Sequence, residues 1–231
     1  MQQVLESPLT TAGKKRLDVL RVNEIFYSIQ GEGSRSGYRC VFVRLTGCGL
    51  RCTYCDTEYA FYEGEDRAIE SILDEVGSFG CNLVEITGGE PLEQVAVFSL
   101  MEKLCNEGFE VMVETGGHID ISKVDSRVKR IVDIKTPSSA MMNRNDPKNI
   151  ERLRQTDEVK FVIGSHEDYL WSKVQIESTG LHNRVGTILM SPVSGVLEGA
   201  DLAKWILDDR LSVRYQIQLH KILWPGIERG V

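Results

Sequence analysis

Three of the six cysteines in this 231-residue chain lie in one short segment, Gly47-Cys48-Gly49-Leu50-Arg51-Cys52-Thr53-Tyr54-Cys55-Asp56-Thr57, as a C-x3-C-x2-C pattern. Cysteine thiolates hold iron–sulfur clusters, and a cubane has four irons, so three ligands leave one iron open to another molecule. An electron-transfer ferredoxin closes all four positions with protein, which makes the count of three informative. The alternative is a structural zinc site, which asks for four closed ligands in paired C-x2-C groups. Cys40, Cys81 and Cys105 fall on expected strand or helix segments and supply no second pair. They read as small buried hydrophobes.

A second feature is Thr87-Gly88-Gly89-Glu90-Pro91. Two glycines permit a close backbone approach to a ligand. A plain strand-to-helix turn also favours Gly and Pro, so this motif alone is a weak signal.

The elements that must position these residues alternate regularly. Strands are expected at 19–27, 41–45, 82–87, 109–114, 130–134, 158–163, 185–190 and 213–219, and helices at 67–77, 95–106, 166–176 and 199–208. In the first helix Ile69, Ile72, Leu73 and Val76 share a face; in the second Val97, Leu100, Met101 and Leu104 do so before Gly108. This βαβα rhythm builds a parallel sheet. About six core strands are too few for a full eight-stranded barrel. The expected fold is an α/β partial, splayed (β/α) barrel rather than a doubly wound sheet, though periodicity does not separate the two. In such folds sites gather beyond the C-terminal strand ends. Segments 46–56, 87–91, 114–117, 135–139 and 191–195 all fall there.

Composition narrows the class. Hydrophobic residues make up 42% and charged residues 26%, enough for a core without a disulfide scaffold. A net charge of −7, with pI near 5.3, argues against broad binding to nucleic acid or anionic lipid. It still permits a small anionic substrate met by a few local cations. No apolar stretch approaches the roughly 18 residues of a membrane span. The first twenty residues lack the layout of a signal peptide. Residues 1–16 read as a partly flexible tail and 17–231 as one domain. The expected compartment is the reducing cytoplasm, where clustered cysteines bind metal or do chemistry.

With the cysteine loop and the Gly-Gly-Glu turn at successive strand ends, the chain resembles the radical S-adenosylmethionine superfamily. In that family the open iron chelates the methionine amino and carboxylate groups, and reductive cleavage releases a 5′-deoxyadenosyl radical. Further markers run from about Val22 to Trp224: Phe26-Tyr27-Ser28-Ile29-Gln30-Gly31-Glu32-Gly33, Arg44 to Cys48, Cys55-Asp56-Thr57, Asp133 to Ser139, and Gln218-Leu219-His220-Lys221. Six blocks in order resemble the 7-carboxy-7-deazaguanine synthase family of the queuosine and deazapurine pathway. The resemblance implies conversion of 6-carboxy-5,6,7,8-tetrahydropterin to 7-carboxy-7-deazaguanine with loss of ammonia and regeneration of S-adenosylmethionine.

The resemblance also implies residue roles. Cys48, Cys52 and Cys55 would hold the 4Fe-4S cluster. Gly89, Glu90, Lys135, Ser138, Ser139, Ser191 and Ser194 would meet S-adenosylmethionine, and Ser191 to Ser194 has a plain loop as its alternative. Ile29, Gln30, Gly31, Glu32, Arg44, Thr87, His220 and Pro225 would meet the pterin. An amide offers donor and acceptor and a carboxylate accepts from ring N–H groups, although Gln30 and Glu32 alone also suit a polar turn. Arg44 would clamp the substrate carboxylate through its bidentate fork, or else be a surface cation. Thr57 would ligate Mg2+ with the substrate carboxylate and waters, or else cap a turn. His118, His166 and His182 have no partner in the pattern. The chain runs past the family's closing position, through 226–231, so the role of Pro225 is open. A homodimer and an electron donor such as flavodoxin are implied partners. The rivals are a glycyl-radical enzyme activase and a non-catalytic iron–sulfur or zinc protein.

Overall fold

The computed structural model describes residues 18–231, so the tail expected at 1–16 lies outside the described residues. The β-branched and aromatic run of β1 (Val19–Ile29) pairs antiparallel with β2 (Arg39–Leu45), stacking Phe26 on Phe42 at 4.9 Å between ring centroids. Every later core strand adds in parallel: β4 (Leu83–Gly88), β5 (Glu110–Thr115), β6 (Lys129–Asp133), β7 (Glu158–Ile163), β8 (Thr187–Pro192) and the two-residue β9 (Arg214–Tyr215). With β3 (Glu65–Ala68) on the outer edge of β1, the sheet reads β3-β1-β2-β4-β5-β6-β7-β8-β9.

Helices between the strands bury the faces that periodicity indicated. The α1 helix (Ile69–Ser78) buries Ile69, Ile72, Leu73 and Val76, and α2 (Val97–Asn106) buries Val97, Leu100, Met101 and Leu104. Each such side chain contributes about 1.5–3 kcal/mol over an exposed one. The short α3 (Lys148–Arg152), then α4 (His166–Thr179) and α5 (Gly199–Asp208), complete this layer, and α6 (Leu219–Leu223) follows β9. On the first residues of the strands, fully buried Arg130 is bonded to Asp157 and donates to the Ile121 and Arg152 carbonyls.

A doubly wound sheet would be covered by helices on both faces. Here alternation splits them. In β4, Val84 and Ile86 face the helical core, whereas Glu85 and Thr87 line a cavity of about 970 Å³ together with Arg44, Glu114, Asp133, Lys160 and Ser191 from five other strands. This curved, unclosed sheet is the expected partial barrel.

Two expected elements change. Residues 65–68 form an edge strand, so the first helix begins at Ile69 instead of 67; nothing in Glu-Asp-Arg-Ala favours a strand, and the pairing is supplied by β1. The strand expected at 213–219 stops at Tyr215. Its neighbour β8 ends in Pro192, which has no N–H to extend the ladder.

Candidate active site

The cysteine loop leaves β2 at Leu45 and crosses the C-terminal strand ends. Cys48, Cys52 and Cys55 are free thiols, partly buried, and all three line the large cavity. Burial pushes the Cys48 thiol up to about 11 and raises those of Cys52 and Cys55. Among the described residues no three His, Cys, Asp or Glu side chains converge as a single ion would require. The thiolates of a cubane bind different irons, so a cluster asks for no such convergence. Of the other cysteines, Cys40 and Cys81 are buried as expected, while Cys105 is only half-buried.

The Gly88-Gly89-Glu90 turn is pressed against this loop. Gly89 N–H donates to Leu45 O (3.0 Å) and Glu90 N–H to Gly47 O (2.7 Å). A Cβ on Gly89 would collide with the Gly47 carbonyl, so only glycine lets the two loops meet. The buried Glu90 carboxylate accepts from Leu92 N–H (3.0 Å), Thr115 Oγ1 (2.7 Å) and Gly116 N–H (2.8 Å).

The cavity floor is a charged network. Glu32 accepts from Lys160 Nζ (2.9 Å), Gln216 Nε2 (3.0 Å) and Gln218 Nε2 (3.0 Å), and Lys160 is also paired with Glu114. Burial opposes ionisation of Glu32, but the Lys160 ammonium outweighs it and holds the carboxyl below its ordinary value. Burial raises Glu114 despite Lys160. Glu85 is raised well above the usual carboxylate range by burial and by the charges of Glu114 and Glu32, and it accepts from the Gln30 amide. Gln30 Oε1 in turn accepts Glu32 N–H (3.0 Å). Gln30 is therefore buried with both amide ends engaged, not a solvated turn residue.

The raised Glu85 carboxyl has a measurable consequence. A carboxyl raised above its unfolded value contributes stability below that value and loses it as pH rises. Glu85→Gln removes the titration, so its stability is expected to gain on the wild type as pH rises above the ordinary carboxylate range, by up to about 1.4 kcal/mol per pH unit until Glu85 itself ionises, and thermal midpoints at each pH read that gain. Parallel midpoint–pH curves for the two proteins would contradict a raised Glu85.

At the mouth, Arg44 is no surface cation. Its side chain is 14% exposed, its Nε donates to Glu24 Oε1 at 2.7 Å, and the guanidinium lies over Phe26 and Tyr59. Thr57 precedes a short 3-10 turn, but its side chain caps nothing; the hydroxyl donates to Asp56 Oδ1 at 3.0 Å. Helix α6 closes the wall: a Cβ on Gly31 would strike the His220 ring, and Lys221 Nζ reaches Asp56 at 2.8 Å.

The cavity thus brings together Ile29, Gln30, Gly31, Glu32, Arg44, the three cysteines, Thr57, Thr87, Gly89, Glu90, Lys135, Ser191, Ser194, His220 and Pro225. Ser138 and Ser139 do not line it. The Ser139 hydroxyl donates to Thr136 O, and the carbonyls of Ser138 and Ser139 accept from Thr53 Oγ1 and N–H, bracing the cluster loop from behind. The tail also contributes. Ile227, Glu228 and Val231 line the mouth, and Gly230 N–H donates to Glu24 Oε2 at 3.2 Å. Glu24, Glu85, Glu114, Lys160 and Gln216 also build the site, and none of them stands in a sequence motif that signals a role.

Residues 42–167 match the family described as the radical SAM superfamily. The chain is 46% identical over 215 residues to 7-carboxy-7-deazaguanine synthase of Chlorobaculum tepidum, covering 92% of this chain and 97% of that protein. It is 37% identical to the synthase of Koribacter versatilis, covering 92% and 100%. Its fold is shared with the crystal structure of QueE from Escherichia coli, with a TM-score of 0.72 and 23% identity over 87% of this chain and 95% of that one. The chain belongs to the radical SAM superfamily and, within it, to the 7-carboxy-7-deazaguanine synthase family.

Proposed function

We propose that this chain converts 6-carboxy-5,6,7,8-tetrahydropterin to 7-carboxy-7-deazaguanine and ammonia, the step that supplies queuosine and other deazapurines. The observation that carries the reading is one cavity lined by three thiols, a glycine turn and a floor of carboxylate, amide and ammonium groups. At about 970 Å³ it lies at the upper end of ligand pockets, room for a nucleoside cofactor and a bicyclic substrate. When bound, the 4Fe-4S cluster and S-adenosylmethionine supply an electron and a hydrogen-abstracting radical.

The chain's own residues do the holding. Cys48, Cys52 and Cys55 would hold the cluster, and the Gly88 to Glu90 turn would hold the methionine end of S-adenosylmethionine. Lys135, kept charged by Asp133 at 2.6 Å, and the Ser191 to Ser194 loop flank the cofactor. Gln30, Gly31, Glu32, Thr87 and His220 face the pterin ring. Arg44, with Nε fixed by Glu24, presents its terminal nitrogens to the carboxylate. Thr57 would hold Mg2+ through its hydroxyl, and the ion would supply positive charge to the substrate carboxylate. A second copy of the chain and a one-electron donor such as flavodoxin complete the assembly, in the cytoplasm. Among the described residues no helix is long and apolar enough to cross a membrane.

Anaerobic turnover with reconstituted protein, reductant, S-adenosylmethionine and the tetrahydropterin tests the reading. Formation of 7-carboxy-7-deazaguanine with one ammonia, and no net loss of S-adenosylmethionine, is expected. Cleavage of S-adenosylmethionine without that product, or hydrogen abstraction from a polypeptide instead, would overturn it. In the same assay Thr57→Ala is expected to lose Mg2+ stimulation and Thr57→Ser to keep part of it. Because the Thr57 side chain caps nothing, the Ala variant should stay within about 0.5 kcal/mol of wild-type stability. Undiminished Mg2+ stimulation would remove Thr57 from the metal.

A further inference from the structure

His118 has no place in the roles above, yet its side chain is only 3% exposed. It follows β5 and sits between two carboxylates, with Nδ1 3.6 Å from Glu90 Oε2 and Nε2 3.1 Å from Glu93 Oε1. The same Glu93 oxygen accepts Gly49 N–H at 2.8 Å. Gly49 lies between the first two loop cysteines, and the next amide, Leu50 N–H, donates to Cys48 Sγ at 3.4 Å. From the outside of the turn, Arg51 NH1 donates to Cys48 O (2.5 Å) and Leu50 O (2.6 Å), with its guanidinium stacked on Phe61. A Cβ on Gly49 would meet Glu93 and, farther off, His118, and one on Gly116 would meet Glu90 and His118; both glycines are packed around this pair.

We propose that His118 is a positioning residue that acts through Glu93 to clamp the Cys48–Leu50 turn and hold the Leu50 N–H on the Cys48 sulfur, thereby setting the potential and retention of the cluster. Glu93 stands on the 3-10 turn Pro91–Glu93 after β4, and its side chain has three rotatable bonds. The His118 Nε2–H bond removes that freedom and fixes the oxygen that grips Gly49. Hydrogen bonds to cluster sulfurs are among the levers that set reduction potential, and partners behind the ligands commonly alter metal affinity by about 10–100-fold. A lost N–H···S bond leaves more charge on the thiolate and makes the cluster harder to reduce.

The proposal rests on Cys48, Cys52 and Cys55 as cluster ligands, which cluster uptake by the wild-type chain tests separately. The experiment compares reconstituted wild type, His118→Ala, His118→Gln and Glu93→Gln by chelator-driven bleaching and by redox titration, with circular dichroism of the metal-free chains as the folding control. His118→Ala is expected to fold, lose its cluster about tenfold faster or more, and show a more negative midpoint potential. His118→Gln, whose amide can donate to Glu93, is expected to recover most of both. If His118→Ala does not fold, Glu93→Gln carries the test and must shift both readouts the same way. Wild-type bleaching and potential in the folded variant, or faster bleaching with the potential unmoved, would overturn the clamp.

Discussion

Single replacement of Cys48, Cys52 or Cys55 by Ala is expected to abolish cluster uptake and lower turnover below detection, while Cys81→Ala keeps both. Among the described residues these are the cysteines that line the cavity, and no substitute can swing in. Cys40 is fully buried on the β2 strand, and Cys81 is buried before β4 with its Sγ donating to Arg39 O at 3.3 Å. Neither can reach the C-terminal strand ends without dismantling the sheet. Burial raises all three loop thiols, so in the metal-free chain they remain protonated at neutral pH, and iron must displace the protons on binding. Iron and sulfide content with the visible spectrum measures uptake, and the pterin assay measures turnover. Turnover by any of the three variants near the wild-type rate would end the cluster assignment.

The loop and the Gly-Gly-Glu turn were legible because their chemistry lies in spacing along the chain. The helix faces were legible for the same reason, since a 3.6-residue period is local. The floor was not. Glu85 lies in Leu83-Val84-Glu85-Ile86, which reads as an apolar strand with one polar intrusion, and Lys160 lies likewise within Glu158–Ile163. A charged residue inside a parallel strand is itself a signal, because such strands read as nearly continuous hydrophobic runs. Assigning its partner requires knowing that β5 and β7 flank β6 on one curved face and that Glu32 is carried there from β1. Ser138 and Ser139 stand apart from the residues that line the cavity. Their position after β6 is right for the cavity, but the turn at Pro137–Ser139 consumes the hydroxyl of one and points both carbonyls at Thr53. Strand-end location selects candidates; side-chain direction within the turn decides among them.

Lys160→Met is expected to be the most damaging single change away from the cysteines. The methionine keeps the apolar stem and deletes the ammonium between Glu32 and Glu114, whose side chains are 17% and 23% exposed. Removing one partner of a buried ion pair leaves uncompensated charge and costs about 3–5 kcal/mol. At about 2–4 °C per kcal/mol for a chain of this size, the thermal midpoint at pH 7 should fall by about 6–20 °C. The pH dependence of the loss identifies its cause. In the wild type Glu32 is held below its unfolded value, so its contribution is present above that value and fades as pH falls through the folded one. Without Lys160 both carboxyls are pushed upward by burial and by each other, so stability is retained at low pH and lost as pH rises. The variant should therefore approach the wild type near pH 4.5 and diverge toward pH 8. Adding Glu114→Gln should recover part of the loss at pH 7 by removing one of the facing charges. Substrate binding separates positioning from stability: in the double variant Glu32 still lacks the ammonium that orients it, so affinity for the pterin should stay low after the fold is restored. A double variant with wild-type affinity would make Lys160 a structural counter-ion and leave Glu32 held by Gln216 and Gln218 alone.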